Sequence, residues 1–219
     1  MSLNEDLPMN WQRARQPGQK AERVATILEA AATLFDEKEL ADISMRDVAA
    51  TAGLGKASLY HYFSTKEEVF ICLYREELHD WLLDVESRLK RLRSPTPKRI
   101  AKSLAEAIRN RDRFCRLTVV LASVLERNLT TDFLREFKRS LLGPLERCSA
   151  ALQSVRPEMS AAAVQEFIVQ HHAVIAGLWP LAHPSEEVST LMKEDELRGH
   201  QVDFYRTFES MIRQLMPPQ

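Results

Sequence analysis

The chain has 219 residues, of which 45% are hydrophobic, enough for one large domain or two small ones with a proper core. Its formal net charge of −1 argues against a polycationic coat and allows only a local basic patch. The cysteines Cys72, Cys115 and Cys148 form no Cys-x-x-Cys pair, no signal peptide precedes them, and no apolar run reaches the ~20 residues that span a bilayer. We therefore expect a cytoplasmic protein with reduced cysteines and no membrane partner.

Residues 1–20 differ in composition from the rest of the chain. Prolines and a glycine interrupt any helix there, and the polar content is high. We expect a mobile, solvated arm. Its basic residues could alternatively follow a minor groove, and they are Arg13, Arg15 and Lys20.

The segment 44–66 predicts two short helices that meet at a sharp corner. Ser44 can cap the first helix, and Asp47 stands where it can complete a capping box. Gly53 supplies the left-handed residue that ends this helix. Gly55 is an acceptable cap for the second helix.

The second helix of this corner has one apolar and one polar face. Leu59 and Phe63 lie four residues apart and anchor the apolar face. Between Ser44 and Lys66, three basic residues stand against one acidic residue, a local excess that suits phosphate contacts. A surface corner in any all-α protein would give a similar pattern without binding DNA.

The corner belongs to a longer pattern that covers roughly residues 23–70. Its parts are Ile27-Leu28-Glu29-Ala30-Ala31 through Leu34-Phe35, Ser44-Met45-Arg46-Asp47-Val48-Ala49, Ala52-Gly53-Leu54, Leu59-Tyr60-His61-Tyr62-Phe63 and Lys66-Glu67-Glu68-Val69. This multi-part pattern resembles the tetracycline-repressor (TetR) family. The resemblance implies a dimeric, sequence-specific DNA-binding transcriptional regulator, typically a repressor released from a palindromic operator by a small-molecule inducer.

The resemblance also implies roles for individual residues, with the helix from about Gly55 to Tyr62 in the major groove. The residues on base-reading positions are Arg46, Lys56, Ala57 and Ser58. The residues on phosphate-holding positions are Ser44, Tyr60, His61, Tyr62 and Lys66. Lys66 also lies in the first turn of the next helix, where backbone N–H groups can join it at a phosphate.

Two residues depart from the family pattern. Glu39 stands where a glycine is usual after the first long helix, so the turn before Leu40 must close differently or under strain. Gly55 replaces the usual Ser or Thr cap of the recognition helix, which costs a few tenths of a kcal/mol.

Beyond Phe70 the apolar residues repeat at intervals of three and four, so we predict an all-α chain of about nine helices. The predicted domains are an arm over 1–20, a helix-turn-helix domain over 21–66 and a helical ligand-binding and dimerisation domain over 67–219.

Sequence signals predict where the later helices begin and end. A long helix runs from Lys66 to about Leu92. Thr96 and Ser160 cap two others. The further predictions are a break or kink at Gly143-Pro144, a helix end at Trp179-Pro180 and a last helix from about Asp195 to Leu215.

The resemblance implies that the last two long helices, 160–178 and 195–215, pair with their copies in a dimer. The apolar candidates for that interface are Phe167, Val174, Tyr205, Phe208, Met211 and Ile212. The alternative is that they fill the subunit's own core, which we expect of about half of them.

A small-molecule pocket in this domain is the second implication of the resemblance. The candidate lining residues are Trp81, Cys115, Glu126, Cys148, His171, His172 and Trp179. Aromatic and sulfur-containing residues at helical spacing are more often core than pocket. Glu126 hints at a cationic ligand.

Two other functions remain open from the sequence. An all-α enzyme or metal carrier could use His171 or His172, but adjacent helical residues point about 100° apart and no second ligand stands at helical spacing. An architectural DNA-binding protein would need no inducer. With no nucleophile–base pair or phosphate loop legible, we expect no enzyme activity, no cofactor and no metal.

Overall fold

A computed structural model describes residues 17–216 of the chain. Over this range the protein is all-α, without a strand, as the sequence predicts. Ten α-helices form, against about nine expected. They are α1 (Pro17–Glu37), α2 (Met45–Thr51), α3 (Lys56–Tyr60), α4 (Lys66–Arg91), α5 (Pro97–Ile108), α6 (Asp112–Val120), α7 (Thr131–Val155), α8 (Ala161–Ala182), α9 (Glu186–Leu191) and α10 (Phe204–Leu215).

Short helical segments of other types join these helices. Single 3-10 turns lie at Leu40–Asp42, Glu126–Asn128 and Arg198–His200. A π-helical segment, Leu121–Leu125, follows α6 directly. None of the helices within residues 17–216 combines the length and apolar content needed to cross a bilayer.

The first helix begins within the segment expected to be a mobile arm. Residues 17–20 form the first turn of α1, which starts at Pro17. Proline suits this position because its missing N–H would have no helical partner there. The rest of the predicted arm, with Arg13 and Arg15, lies outside the described residues.

The described chain forms two compact units. The first comprises the residues up to Glu77 together with Leu121–Leu142, and the second comprises Leu78–Val120 and the residues from Gly143 onward. Each unit is built from two stretches of the chain, and both α4 and α7 contribute residues to both units. The predicted domain boundary after residue 66 stays a prediction.

The first unit holds the corner predicted from the sequence. Helix α1 packs against α2, and α2 packs against α3. Ile27 and Leu28 of α1 are buried, and the Phe35 ring lies 5.5 Å from the Phe70 ring. Each such fully buried side chain stabilises the fold by about 1.5–3 kcal/mol, so the two short helices of the corner are held by packing.

In the second unit, α8 packs against α6 and α10, and α10 also packs against α5. Two predicted caps are confirmed here. The Thr96 hydroxyl accepts the Arg99 N–H at 3.3 Å at the start of α5, and the Ser160 hydroxyl accepts the Ala163 N–H at 3.2 Å at the start of α8. These bonds satisfy donors that would otherwise be orphaned at helix N-termini.

One predicted helix end is wrong and one predicted break does not occur, whereas the alternative of a kink at Gly143-Pro144 stays a prediction. Helix α7 continues through Pro144, and α8 continues through Pro180 to Ala182. A proline inside a helix costs about 3 kcal/mol. Burial of several apolar side chains along each helix, at about 1.5–3 kcal/mol apiece, outweighs that cost.

The last helix begins later than predicted. Helix α10 starts at Phe204 instead of about Asp195. The Asp203 carboxylate accepts the Arg206 N–H at 3.0 Å and caps the helix at this point. Asp195 and Asp203 have the same capping chemistry, and the helix begins after Asp203 because this residue directly precedes the amphipathic stretch.

Candidate functional site

The predicted capping box closes the start of α2. The Ser44 N–H donates to Asp47 Oδ2 at 2.9 Å, and the Asp47 N–H donates to Ser44 Oγ at 3.3 Å. The Ser44 hydroxyl donates to the same carboxylate at 2.6 Å. These bonds favour the ionised carboxylate and lower the pKa of Asp47, with the Ser44 side chain as the largest cause. The hydroxyl of Ser44 already has an acceptor within the protein.

The corner between α2 and α3 is a complete Schellman motif. The Leu54 N–H donates to the Ala49 carbonyl at 2.9 Å, and the Gly53 N–H donates to the Ala50 carbonyl at 3.1 Å. Gly53 has φ = 65°, as predicted. This left-handed residue turns the chain within one position, and Gly55, with an extended backbone, caps α3 directly afterwards.

Helix α3 is shorter than predicted, with five residues. After it the chain continues in tight turns, in which the His61 N–H donates to the Ser58 carbonyl at 3.2 Å and the Tyr62 N–H to the Leu59 carbonyl at 2.9 Å. Leu59 and Phe63 are buried, at 0% and 1% exposure. These two side chains anchor residues 55–63, the recognition segment, to the rest of the first unit, as the sequence predicted.

Most of the remaining side chains of the recognition segment are exposed, as is Arg46 on α2, whereas Tyr62 is half-buried. The predicted base-reading residues are all exposed, and they are Arg46, Lys56, Ala57 and Ser58. The Lys56 ammonium lies 5.9 Å from the centre of the Tyr60 ring, within cation–π range. An exposed lysine, small residues and aromatic hydroxyls can contact base edges and phosphates.

The predicted phosphate-holding residues differ in exposure. Ser44, Tyr60 and His61 are exposed, whereas Tyr62 and Lys66 are half-buried. Their role in phosphate binding stays a prediction.

Lys66 has a structural role that the sequence did not reveal. Its ammonium donates to the carbonyls of Leu40 and Ile43, at 2.8 and 2.9 Å. The first residue of α4 is thereby tied to the turn that precedes α2. Two of the three donor positions of the ammonium are used in this way, and one remains for a phosphate. Sequence gives no signal for such bonds, because the acceptors are backbone atoms far along the chain.

Backbone donors at the start of α4 are also engaged. The Ser64 N–H donates to Glu68 Oε2 at 2.6 Å, and the Glu68 N–H donates to Thr65 Oγ1 at 3.2 Å. Thr65 is therefore the cap of this helix. These two N–H groups have acceptors inside the protein, which leaves fewer of them for a phosphate than the sequence suggested.

The turn at Glu39 closes without strain. Glu39 has φ = −77° and ψ = 149°, an ordinary extended conformation, and it leads into the 3-10 turn Leu40–Asp42. The left-handed glycine usual in the family is thus replaced by a different turn.

The pocket candidates fall in different places. Glu126 belongs to the first unit, and its carboxylate forms a salt bridge with Lys138. His172 is half-buried. The five candidates that are buried in the second unit are Trp81, Cys115, Cys148, His171 and Trp179.

Trp81 and His171 are brought together in one aromatic cluster. Their ring centres lie 4.9 Å apart. The Trp81 indole stacks on Phe114 with centres 5.3 Å apart, and the Phe208 ring meets His171 edge-on at 5.1 Å. Burial, with a smaller contribution from the neighbouring His172, lowers the pKa of His171 to about 3. The imidazole is therefore neutral at physiological pH.

Both heterocycles have an unsatisfied nitrogen. Trp81 Nε1 and His171 Nε2 are buried and find no hydrogen-bond partner among the described residues. Buried polar atoms are usually partnered, and leaving one unsatisfied costs about 1–3 kcal/mol.

The other buried candidates form ordinary core. The Trp179 ring stacks on His183 with centres 3.7 Å apart and meets Phe204 at 4.9 Å. Burial raises the pKa of the Cys148 thiol to about 11 and raises that of Cys115 further. Both thiols are protonated near neutral pH and are poor nucleophiles. Within the described residues, no three His, Cys, Asp or Glu side chains come together as a metal site would require.

Most of the predicted dimer-interface residues are buried in the subunit's own core. The buried ones are Phe167, Val174, Phe208 and Ile212. Tyr205 is half-buried, with the Arg109 guanidinium 4.5 Å from its ring centre. Met211 remains 39% exposed. Four of the six candidates therefore lie in the subunit's own core, and the dimer interface stays a prediction.

Sequence reasoning missed the apolar residues that α8 exposes. Val169 is 68% exposed and Leu181 is 66% exposed. Ala173 and Gly177 lie between them at intervals of four and are also exposed. The interval of four was a legible signal, because it places all four residues on one side of the helix.

The fold and the corner define a class, the all-α regulators with an N-terminal helix-turn-helix. A family model described as "Bacterial regulatory proteins, tetR family" matches residues 27–72, and one described as "Tetracyclin repressor-like, C-terminal domain" matches residues 75–217. Together they cover most of the chain. The protein belongs to the TetR family.

Curated relatives match in the N-terminal part. The chain is 41% identical over 66 residues to the HTH-type transcriptional repressor KstR2 of Mycolicibacterium smegmatis, covering 30% of this chain and 32% of the relative. It is 39% identical over 67 residues to the HTH-type transcriptional regulator EthR of Mycobacterium tuberculosis, covering 31% and 30%. The matched segment thus spans about a third of these relatives, and they are transcriptional regulators.

Solved structures share the fold along nearly the whole chain. A TetR transcriptional regulator from Rhodococcus sp. RHA1 superposes with a TM-score of 0.56 at 16% identity, covering 90% of this chain and 97% of that one. The fatty acid degradation regulator FadR from Bacillus halodurans gives a TM-score of 0.55 at 17% identity, with coverages of 87% and 94%. At these identities the likeness concerns the fold alone.

Proposed function

We propose that the protein is a dimeric transcriptional repressor that binds a palindromic operator through α3 and is released by a small-molecule inducer. In this proposal it acts in the cytoplasm, where the operator DNA is, and has no catalytic role. The observation that carries the proposal is the recognition segment, because buried Leu59 and Phe63 hold it in place while Lys56, Ala57 and Ser58 remain exposed. A rigid short helix with exposed donors is what reading a major groove requires.

Selection of bound DNA from a random pool with the purified protein tests the proposal. We expect a palindromic consensus, because two copies of α3 in a two-fold symmetric dimer read two inverted half-sites. Enrichment of no sequence, or of a site without inverted symmetry, would contradict operator binding by a dimer.

Individual roles on the operator are testable with two lysines. Lys56→Ala should cost about 1–3 kcal/mol on the selected site and relax preference at one position of each half-site. Lys66→Ala should weaken binding to selected and random DNA by similar factors, since a phosphate contact carries no sequence information and loss of the bonds to Leu40 and Ile43 would loosen the corner for any DNA. Equal losses on both DNAs for both variants would remove the distinction.

The proposed dimer uses the exposed apolar side of α8 together with α10. Val169 and Leu181 are the exposed anchors on α8, with Ala173 and Gly177 between them, and Met211 is exposed on α10. Small residues between apolar anchors let a second helix approach closely, and burying this surface gives the apolar core that homodimers need. The buried candidates Phe208 and Ile212 support the interface from behind.

Sedimentation equilibrium of full-length variants tests the interface. Val169→Glu should shift the protein toward monomer, because it would bury an unpaired charge in the dimer. Val188→Glu is the matched control, since Val188 is 39% exposed on α9, outside the proposed surface. Equal effects of the two substitutions, or no effect of either, would show that the dimer interface does not include the exposed side of α8.

The inducer in this proposal acts on α4. That helix carries Trp81 in the second unit and begins with Lys66, which is bonded to the turn before α2. A ligand that contacts α4 with different affinity in the DNA-bound and free states shifts the population between them. A ligand that saturates the protein without changing operator affinity would refute this mechanism.

A further inference from the structure

The centre of the second unit contains two heterocycles whose polar atoms have nothing in the protein to bond. Trp81 from α4 is 8% exposed and His171 from α8 is 5% exposed. Trp81 Nε1 and His171 Nε2 lack partners within residues 17–216. Folded proteins rarely tolerate one such atom without a reason, and here two lie in rings that touch.

The surrounding rings hold both heterocycles in place. Phe114 stacks on Trp81 with an interplanar angle of 19°, and Phe208 meets His171 at 89°. Phe167 lies on another side of His171, with ring centres 6.3 Å apart. Neither heterocycle can therefore turn its nitrogen toward another partner without disturbing packed aromatic neighbours. The arrangement presents two fixed hydrogen-bonding atoms within an apolar cluster.

The chemistry of these atoms narrows what can bond to them. The indole N–H of Trp81 can only donate, so its partner must be an acceptor. Because the His171 ring is neutral, its Nε2 donates in one tautomer and accepts in the other. A hydroxyl oxygen can accept from Trp81 while it donates to or accepts from His171. A carbonyl oxygen can accept from both.

We infer that Trp81 and His171 form the polar anchor of the inducer site, and that the ligand is an uncharged, mostly apolar and preferably aromatic molecule with one hydroxyl or carbonyl oxygen. The inference rests on the proposed function and names the class of ligand for it. Charged ligands fit less well. An anion would be buried without a counter-charge in the ring cluster, and a cation would face the donor-only indole N–H. The carboxylate of Glu126, considered for a cationic ligand, already pairs with Lys138.

Three probes that differ only in their polar group test this inference on the full-length protein. They are naphthol, naphthalene and naphthoate, with affinities measured by calorimetry. We expect naphthol to bind about tenfold more tightly than naphthalene, because two hydrogen bonds are added, and more tightly than naphthoate. Equal affinities for naphthol and naphthalene, tighter binding of naphthoate, or no binding of any probe would each overturn the inference.

Variants locate the site. Trp81→Phe and His171→Phe keep a ring and remove the nitrogen, so each should reduce the preference for naphthol over naphthalene by about threefold. Trp179→Phe is the matched control, since Trp179 is equally buried in the same unit but is not among the residues with an unsatisfied buried nitrogen. It should keep the full preference. If a variant fails to fold, the ratio of naphthol to naphthalene affinity in the unaltered protein still decides the class of ligand.

A separate measurement keeps this inference distinct from the proposed function. Operator affinity is measured with and without saturating naphthol, on the site obtained by DNA selection. Suppose that naphthol binds, that the Trp81 and His171 variants lose the preference for it, and that operator affinity does not change. The two residues then bind the ligand as inferred, but the ligand does not regulate DNA binding. If no operator is selected, the regulator proposal fails while the binding data still decide the anchor.

Discussion

The helix-turn-helix corner and the aromatic cluster around Trp81 and His171, here called the aromatic centre, differ in whether their polar groups are hydrogen-bonded within the protein. In the corner, Ser44, Asp47 and Lys66 all have partners inside the protein, at distances of 2.6–3.3 Å. In the aromatic centre, Trp81 and His171 have buried nitrogens without partners. The first arrangement favours one fixed geometry, as reading DNA requires. The second arrangement favours binding of a ligand, because a ligand can form the hydrogen bonds that the protein itself does not provide.

Removing the Lys66 ammonium tests the corner most severely. Lys66→Met should lower the local stability of the first unit by about 3 kcal/mol, since two hydrogen bonds from a charged donor are lost. Hydrogen exchange of the Leu59 amide measures this. Lys56→Met, on the exposed side of α3, should change it by less than about 0.5 kcal/mol. Similar protection in both variants would mean that Lys66 does not hold the corner together.

Acid stability tests the aromatic centre. His171 has its pKa lowered from 6.5 to about 3. Between these values the unfolded chain binds a proton that the folded protein does not, so this group lowers stability as the pH falls through that window. The loss is about 1.4 kcal/mol per pH unit, or about 2 kcal/mol by pH 5. Urea unfolding at several pH values gives the free energy of unfolding as a function of pH. His171→Phe should remove this pH dependence, whereas Trp81→Phe, which removes no titrating group, should keep it. An unchanged slope in His171→Phe would show that the imidazole is not buried and neutral.

The left-handed turn offers a test of intermediate size. Gly53→Ala should destabilise the first unit by about 1–2 kcal/mol, because φ is 65° and no neighbouring atom lies within 4 Å of the added methyl group, so backbone strain is the main cost. Gly18→Ala, in the first turn of α1 with no neighbouring atom within 4 Å of the added methyl group, should instead stabilise by about 0.5 kcal/mol. Thermal unfolding measures both signs, and a shared sign would contradict the assignment of the turn.

The smallest expected effect separates capping from DNA binding. Ser44→Ala and Ser160→Ala each remove a helix cap and should each cost about 1 kcal/mol of stability. Only Ser44→Ala should also weaken operator binding in an anisotropy titration, because Ser44 lies beside the recognition corner. Weakened binding in both variants would trace the effect to stability alone.

The features that could be predicted from the sequence depend on neighbours in the chain. The capping box of Ser44 and Asp47, the left-handed Gly53 and the caps at Thr96 and Ser160 all involve atoms within a few residues of each other. Their geometry is nearly independent of the rest of the fold, so residue type and spacing suffice.

The features that were missed depend on tertiary packing. Pro144 and Pro180 sit inside helices that buried side chains hold together, so local propensity was overridden. Lys66 bonds to carbonyls more than twenty positions earlier. Whether His171 is satisfied depends on which groups surround it, and no spacing rule reports that. Val169 is the exception, because the interval of four along α8 was available and went unused.

The three cysteines have a practical consequence. All are buried, and burial raises the pKa of Cys72 and Cys148 to about 11, with Cys115 raised further. Thiol-directed dyes attack thiolates, which are scarce in this chain near neutral pH. A single cysteine introduced at exposed Thr51, the last residue of α2 and not one of the predicted DNA contacts, would therefore take up a fluorescent label ahead of the native thiols. The native cysteines therefore need not be replaced before fluorescence measurements of the helix-turn-helix corner on DNA.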